Sequence, residues 1–460
     1  MNIDLKEIDS FIAENRENIL RDISRLVKVP SIEGEPAPGA PFGAEPKRAL
    51  ELGLEIAGEL GLESKNCENY IGYAEIPGES EKYISTITHL DVVPVGDGWS
   101  EDPFTMRERE GYIIGRGVMD DKGPSVLCLY ALKYLKDEKV PLRYTVRALL
   151  GANEETGMLD VEYYLKNYPA PVFCFSPDSD FPVCNGEKGI FHGEIVSKVP
   201  LEKIVSISGG FAPNAVPDKA DATVKFEGEL PAERENVKVS AGDGVLHIST
   251  FGKGGHASMP EGTVNAIGVL VNYLLDNDLC SKEEAKFLSV LKMLHDATDG
   301  SAIGVAACDG RFSPLTIVGG MIGIKDGQIH QSLDSRYPTN TSGEKIVSII
   351  KEKAGDAADV ILRSDNPPFY ISPDSPEIAT CINTYNDITG EHAELYTMGG
   401  GTYARDFPNA VSFGPEHPER PAPDFAGPIH GVDEAASIAD LLEALKIYIV
   451  TLIRLQEVDF

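Results

Sequence analysis

The chain has 460 residues, 42% of them apolar and 25% charged, a balance that suits two or three globular domains and excludes a coiled coil or a wholly disordered chain. Asp and Glu number 73 against 41 Lys and Arg, leaving a formal charge of −32 at pH 7. Such a field repels phosphate backbones and anionic membranes, which argues against nucleic-acid and lipid partners and favours cationic metals.

No stretch approaches the roughly 20 apolar residues of a membrane span. The opening MNIDLKEIDSFIAENRENIL is acidic and amphipathic and does not read as a signal peptide. Leu5, Ile8, Phe11, Ile12, Ile19, Leu20, Ile23, Leu26 and Val27 recur at helical spacing, and Val29-Pro30 marks the end of that helix. A Pro/Gly-rich loop leads to a second amphipathic helix over 45–60. YISTIT (83–88) predicts a strand that ends at the charged His89-Leu90-Asp91. A helix over 125–136, a strand over 143–150 and a short strand over 172–175 follow. Strands alternating with helices and ending at polar residues predict an α/β sheet with its functional groups beyond the strand ends.

After Gly189 short strand candidates dominate (IFHGEIV, ATVKFEG, VKVSA, VLHISTF, LTIVGG, DVILRS), interrupted by three helices near 263–276, 282–295 and 342–353. After Ile371 the helix–strand alternation returns, and 435–455 closes the chain as a long helix. The pattern predicts one α/β domain interrupted by an inserted α+β domain, with boundaries at 1–187, 188–368 and 369–460. Seven Cys (67, 128, 174, 184, 280, 308, 381) are an odd number with no C-x-x-C pair, which argues against a disulfide framework or a Cys-zinc site and points to a reducing cytoplasm.

Four motifs concentrate polar residues at predicted strand ends. In His89-Leu90-Asp91 an extended backbone puts the carboxylate on the same face as the imidazole, the arrangement that orients a metal-binding ring. GRGVMDDKGP presents Asp120 and Asp121 before a helix. Asn153-Glu154-Glu155-Thr156-Gly157 follows an apolar strand, and two adjacent carboxylates there are kept together more readily when cations or protons offset their charge. If one binds metal, its neighbour can act as general base. FSPDSD places Asp178 after the strand VFCF. Singly these read as a solvated turn, an N-cap or an Asx turn. Together, with His430 in GPIHGVDE, they supply a His/carboxylate donor set without Cys that suits Zn²⁺ and tolerates Mn²⁺ or Co²⁺.

THLDVVP, GRGVMDDKGP, GANEETG, FSPDSD and PIHGVDE resemble, in order, the signature blocks of the dinuclear zinc metallopeptidases related to aminoacylase-1, carboxypeptidase G and succinyl-diaminopimelate desuccinylase. The resemblance implies a discontinuous catalytic domain, a mixed sheet flanked by helices, carrying an inserted lid. It implies two divalent ions per chain: His89, Asp120 and Asp178 on one, and Asp120, Glu155 and His430 on the other. Glu154 becomes the general base, Asp91 the residue that orients His89, and the Asp120–Asp121 peptide is expected to be cis.

Outside the ligands the chain is more similar to the branch exemplified by bacterial dipeptidase V. GGFAPNAVPDKAD offers Asn214, KGGHASMPEGTVNA offers His256 and SLDSRYP offers Arg336; in that branch such lid groups reach the substrate as oxyanion donors and as a fork for its carboxylate. The loop GGGTYARDFP, with Gly400 and Arg405, lines the cleft in the resembling proteins. The bland readings are a turn residue for Asn214, a helix-entry residue for His256 and an Arg336–Asp334 ion pair. Histidines 192, 247, 295, 330, 392 and 417 have no partner motif and read as structural or exposed. The resemblance favours a cytoplasmic dipeptidase acting on small peptides, a monomer because the lid is long, with a homodimer as alternative. An N-acyl or N-succinyl amino acid hydrolase is the second reading and a non-catalytic metal-dependent binding protein the third.

Overall fold

The computed structural model describes residues 3–460. The chain divides into two units: residues up to Gly186 with Tyr370–Tyr396 and Thr402–Phe460 form the first, and Glu187–Phe369 with Thr397–Gly401 the second. The sequence pattern assigns residues 397–401 to the catalytic domain, whereas here they cluster with the inserted unit.

The first unit is built on a mixed sheet ordered Glu63–Cys67, Ile71–Ile76, Tyr144–Gly151, Ser80–His89, Phe173–Ser176, Ala410–Ser412, Cys184–Glu187. The strand Ser80–His89 runs parallel to both Tyr144–Gly151 and Phe173–Ser176, and the last of these runs parallel to Ala410–Ser412. Tyr83–His89 is buried without interruption, as a central strand covered on both faces requires. Helices Leu5–Val27, Lys122–Asp137 and Ile438–Leu455 pack on one another, and their apolar faces join Ile84, Val146, Ala148, Phe173 and Phe175 of the sheet in one core. The first helix starts where the Asp4 side chain accepts from the Lys6 N–H, and its stripe Ile8, Ile12, Ile19, Ile23, Leu26 is buried.

The second unit holds an antiparallel sheet ordered Val237–Gly242, Val245–Phe251, Lys219–Lys225, Ile204–Gly209, Ile322–Lys325, Gln328–Tyr337, Gly189–Ser197, Ala358–Asn366. Helices Ala266–Asp276, Lys282–Asp296 and Gly343–Ala354 share its core. Ser281 and Glu284 form a capping box at the start of the middle helix. The buried Glu284 carboxylate also accepts from the amides of Glu202, Lys203 and Ile204 at 2.8–3.0 Å, fastening the helix to the strand Ile204–Gly209.

Candidate metal centre

The three parallel strands end together. Their register pairs His89 with Gly151 and Thr86 with Phe175, so the strand ends lie along one edge of the sheet. His89 is the last residue of its strand, Glu154 and Glu155 lie just past Gly151, and Asp178 lies just past Ser176. Asp120 arrives on the segment before helix Lys122–Asp137, and the Asp120–Asp121 peptide is cis, as the family resemblance implies. His430 arrives on a turn with φ 58°, a left-handed conformation that is costly for a non-glycine residue.

The ring of His89 is buried, and its Nδ1 lies 3.0 Å from the main-chain oxygen of Asp91. A carbonyl only accepts, so Nδ1 carries a proton and, in the neutral ring, the Nε2 lone pair is left for a cation. Nε2 makes no hydrogen bond, yet lies 2.9 Å from Asp120 Oδ1 and 3.7 Å from Asp178 Oδ2. The other oxygen of Asp120, Oδ2, lies 2.8 Å from His430 Nε2, which in turn is 3.2 Å from Glu155 Oε2. One carboxylate therefore presents one oxygen to each imidazole. Ligand atoms of His89, Asp120 and Glu155 lie within 4.8 Å of one another, as do those of His89, Glu154 and Asp178.

The electrostatics fit a cation. Burial pushes the Glu154 carboxyl well above its ordinary value and the charge of Asp178 adds to it; burial and Asp120 do the same to Asp178 and raise Glu155. His430 rises to about 11, through contact of Nε2 with Asp120 and Glu155. Burial alone would lower His89, but contact with Asp120 and Asp91 raises it well above its ordinary value, so the imidazole and these carboxylate oxygens call for a positive charge between them, a proton or a metal ion. Nitrogen and oxygen donors at these separations, without thiolate, suit divalent ions of the zinc type.

Carboxylates that are not candidate ligands hold the ligand-bearing loops by their backbone N–H groups. Asp91 accepts from the Glu154 and Glu155 amides at 3.2 and 3.1 Å, and its carboxylate stands 3.6 Å from His89 Nδ1. It is thus the Asp91 carbonyl that orients the ring, while the carboxylate fixes the Glu154–Glu155 turn. Asp160 accepts from Ala152 and Asn153 at 2.7 and 3.0 Å and from the Tyr403 hydroxyl. Asp121 accepts from the His89 amide at 3.1 Å, and Glu434 accepts from three amides of the Asp120 loop. The sequence reading singles out none of Asp160, Tyr403 and Glu434. Glu434 and Tyr403 had a signal, since they lie in the motifs PIHGVDE and GGGTYARDFP; Asp160 had none.

The second unit contains Asn214, His256, Arg336 and Gly400. Asn214 and His256 are exposed, and the strands Ala215–Val216 and Gly255–His256 pair beside them. The Ser258 amide donates to His256 Nδ1 at 3.1 Å, so the neutral ring carries its proton on Nε2 and is a donor there. Arg336 is buried and forks onto Asp334 through Nε at 2.9 Å and Nη2 at 3.0 Å, while Nη1 donates to the Gly399 oxygen at 3.2 Å. Three of its five N–H groups are spent, leaving one on each terminal nitrogen. Asp334 is braced from its other side by His192 Nε2 at 3.0 Å. A side chain on Gly400 would touch only Met398 Sδ at 3.9 Å, whereas a Cβ on Gly399 would stand 3.3 Å from Ser258 Cβ; the constrained glycine is Gly399. Arg405 is half-buried on the turn Tyr403–Asp406 of the first unit.

The unassigned histidines have structural partners where they are buried. His295 contacts Gln331 Oε1 at 3.3 Å, with burial lowering its pKa to about 4. His417 lies beside Asp440 and Glu443, a second cluster of metal-ligating type, but the Arg420 guanidinium donates to both carboxylates and supplies their cation.

Residues 86–454 match the model of peptidase family M20/M25/M40. YtjP of Bacillus subtilis (strain 168) is 32% identical over 456 residues, 95% of this chain and 97% of the relative. The Beta-Ala-Xaa dipeptidase of Lactobacillus delbrueckii subsp. lactis is 30% identical over 469 residues, 97% of each chain. The solved dipeptidase Dug1p of Saccharomyces cerevisiae superposes with a TM-score of 0.62 at 13% identity over the whole of both chains, a likeness of fold. With the family's match spanning the strand-end candidate ligands and the late histidine alike, this chain belongs to peptidase family M20/M25/M40.

Proposed function

We propose that this protein is a metal-dependent dipeptidase that hydrolyses dipeptides with free termini. The observation that carries the reading is the Asp120 carboxylate, with one oxygen facing each of two imidazoles that have Asp178 and Glu155 beside them. His89, Asp120 and Asp178 hold one divalent ion and Asp120, Glu155 and His430 the other, with Zn²⁺ the best match to the donors and Mn²⁺ or Co²⁺ accepted. Bound ions supply Lewis-acid polarisation of the scissile carbonyl and lower the pKa of the attacking water.

The chain's own groups do the rest. Glu154, held by the Asp91 carboxylate at its amide, takes the proton of the attacking water and returns it to the leaving amine. The Nε2 proton of His256 meets the developing oxyanion, and Asn214 is a second donor. Arg336, already braced by Asp334, offers its two remaining N–H groups to the substrate's C-terminal carboxylate, with Gly400 and Arg405 lining the cleft. The kinship with a Beta-Ala-Xaa dipeptidase supports the substrate class. The odd count of seven cysteines, with no C-x-x-C pair, supports a reducing cytoplasmic location. No helix among the described residues is long and apolar enough to cross a membrane. The long lid favours a monomer.

The test is a panel of dipeptides, tripeptides, N-acetyl and N-succinyl amino acids offered to apo-protein reloaded with Zn²⁺ or Mn²⁺. Dipeptides are expected to be cut fastest. A preference for N-acyl or N-succinyl substrates would replace the dipeptidase by a deacylase on the same scaffold. Arg336→Ala is expected to weaken cleavage of free dipeptides by about 10–100-fold more than that of their C-terminal amides, in keeping with a charge-assisted fork. Equal losses on acids and amides would remove Arg336 from carboxylate recognition.

A further inference from the structure

The two loops that carry Asp120 and His430 are far apart in sequence, and one buried side chain ties them together. Glu434 is fully buried. Its Oε1 accepts from the amides of Gly117, Met119 and Asp120 at 3.1, 3.1 and 3.2 Å, so the backbone of the bridging ligand itself hangs on this carboxylate. Its Oε2 accepts from Arg116 Nη1 at 2.7 Å, and Arg116 Nη2 donates to the main-chain oxygen of His430 at 3.3 Å. The Gly115 amide donates to the Glu434 main-chain oxygen at 2.9 Å. A single Glu–Arg pair thus reaches Asp120 on one side and His430 on the other. Neither Glu434 nor Arg116 is among the candidate ligands.

We propose that Glu434, acting through Arg116, is a positioning residue that selectively sets the affinity of the metal position formed by Asp120, Glu155 and His430, an inference that rests on the dinuclear reading above. The other position depends on it less. His89 is fixed by its own strand, by the Asp91 carbonyl and by the Asp121 carboxylate at its amide, and Asp178 by the adjacent strand end. Both positions share Asp120, but only one also needs His430, whose loop turns through a left-handed conformation. Groups that orient a ligand without touching the metal typically change affinity by about 10–100-fold.

Glu434→Gln is the test. Gln keeps an oxygen for the three loop amides and puts an NH₂ where Arg116 Nη1 donates, which breaks the link to His430. Apo-protein is titrated with Co²⁺ and followed by visible absorption and calorimetry, with His430→Ala as reference. The wild-type chain is expected to take up two ions in separable steps and His430→Ala to lose one of them. Glu434→Gln should keep one step unchanged and weaken the other by about 10–100-fold. Arg116→Lys, which cannot span both partners with one ammonium, should weaken the same step and serves if Glu434→Gln does not fold. Two unchanged steps in a folded variant, or both steps weakened alike, would overturn the positioning role. A wild-type chain without two steps would instead overturn the dinuclear reading.

Discussion

Glu154 sits among carboxylates and is held off its ordinary pKa by burial first and Asp178 second. Glu154→Gln is nearly isosteric, so fold and metal content should be retained while turnover drops by about 10²–10⁴-fold, the usual value of a positioned base; near-normal turnover with metals in place would dismiss Glu154 as the base. A second acid near the centre offers a pH-dependent readout without turnover. Glu416 lines a cavity of about 280 Å³ beside Met119 and Ile429. Burial, then Asp180 and Asp120, raise its carboxyl to about 7. A carboxyl raised on folding favours the fold while protonated, and that contribution is lost as pH climbs from about 4.3, its unfolded value, to about 7. In chelator-treated protein Glu416→Gln should therefore melt above the wild type at pH 8 and level with it at low pH. The same gap at both pH values would contradict the sign.

At the level of elements, Glu284 shows how much one cap can hold. Its carboxylate serves the helix start and three amides of the neighbouring segment. Glu284→Ala leaves these donors without a partner and should cost about 3 kcal/mol or more, read from the denaturant midpoint. Burial raises this carboxyl but the amides outweigh it, and the net shift is downward. Its stabilisation is full above about pH 4.3 and fades as pH falls through the lower folded value. A change within about 0.5 kcal/mol would mean the segment finds other acceptors. Elements differ in how far they can be read from sequence. YISTIT and VFCF announce themselves by uninterrupted apolar and β-branched residues. Glu63–Cys67 does not, because only Cys67 of its five residues is buried. Gln328–Tyr337 does not either, because Gln331, Asp334, Ser335 and Arg336 are buried polar residues that break the alternation. The candidate ligands were legible because metal chemistry demands particular side chains at strand ends. Asp160, Tyr403 and Glu434 hold backbone amides or one another, contacts that no side-chain pattern announces even where, as for Glu434, the residue lies in a recognised motif.

For the whole molecule, whose net charge is −32, the centre brings Glu154, Glu155, Asp178 and Asp120 together. Divalent ions should therefore stabilise the folded chain by linkage, about 2.7 kcal/mol per site at a free concentration 100 times the dissociation constant. Chelation is expected to lower Tm, and the gap between loaded and stripped protein should widen from pH 5.5 to pH 8, since the raised carboxyls of Asp178 and Glu155 and the His430 imidazole must shed protons to bind. A gap that shrinks with rising pH would be incompatible with these ligands.

The chain passes between its two units four times, because Thr397–Gly401 returns to the inserted unit after the main segment has ended. Modularity is the casualty. Excising residues 187–369 as one cassette would leave five residues behind that belong to what was removed, and Gly399 would lose the Arg336 donor that meets its oxygen. Recombination between relatives that swaps only the long segment pairs one parent's Arg336 with the other's glycine loop. Functional chimaeras should demand both pieces from the same parent, so the loop and the insertion are expected to evolve as a linked pair.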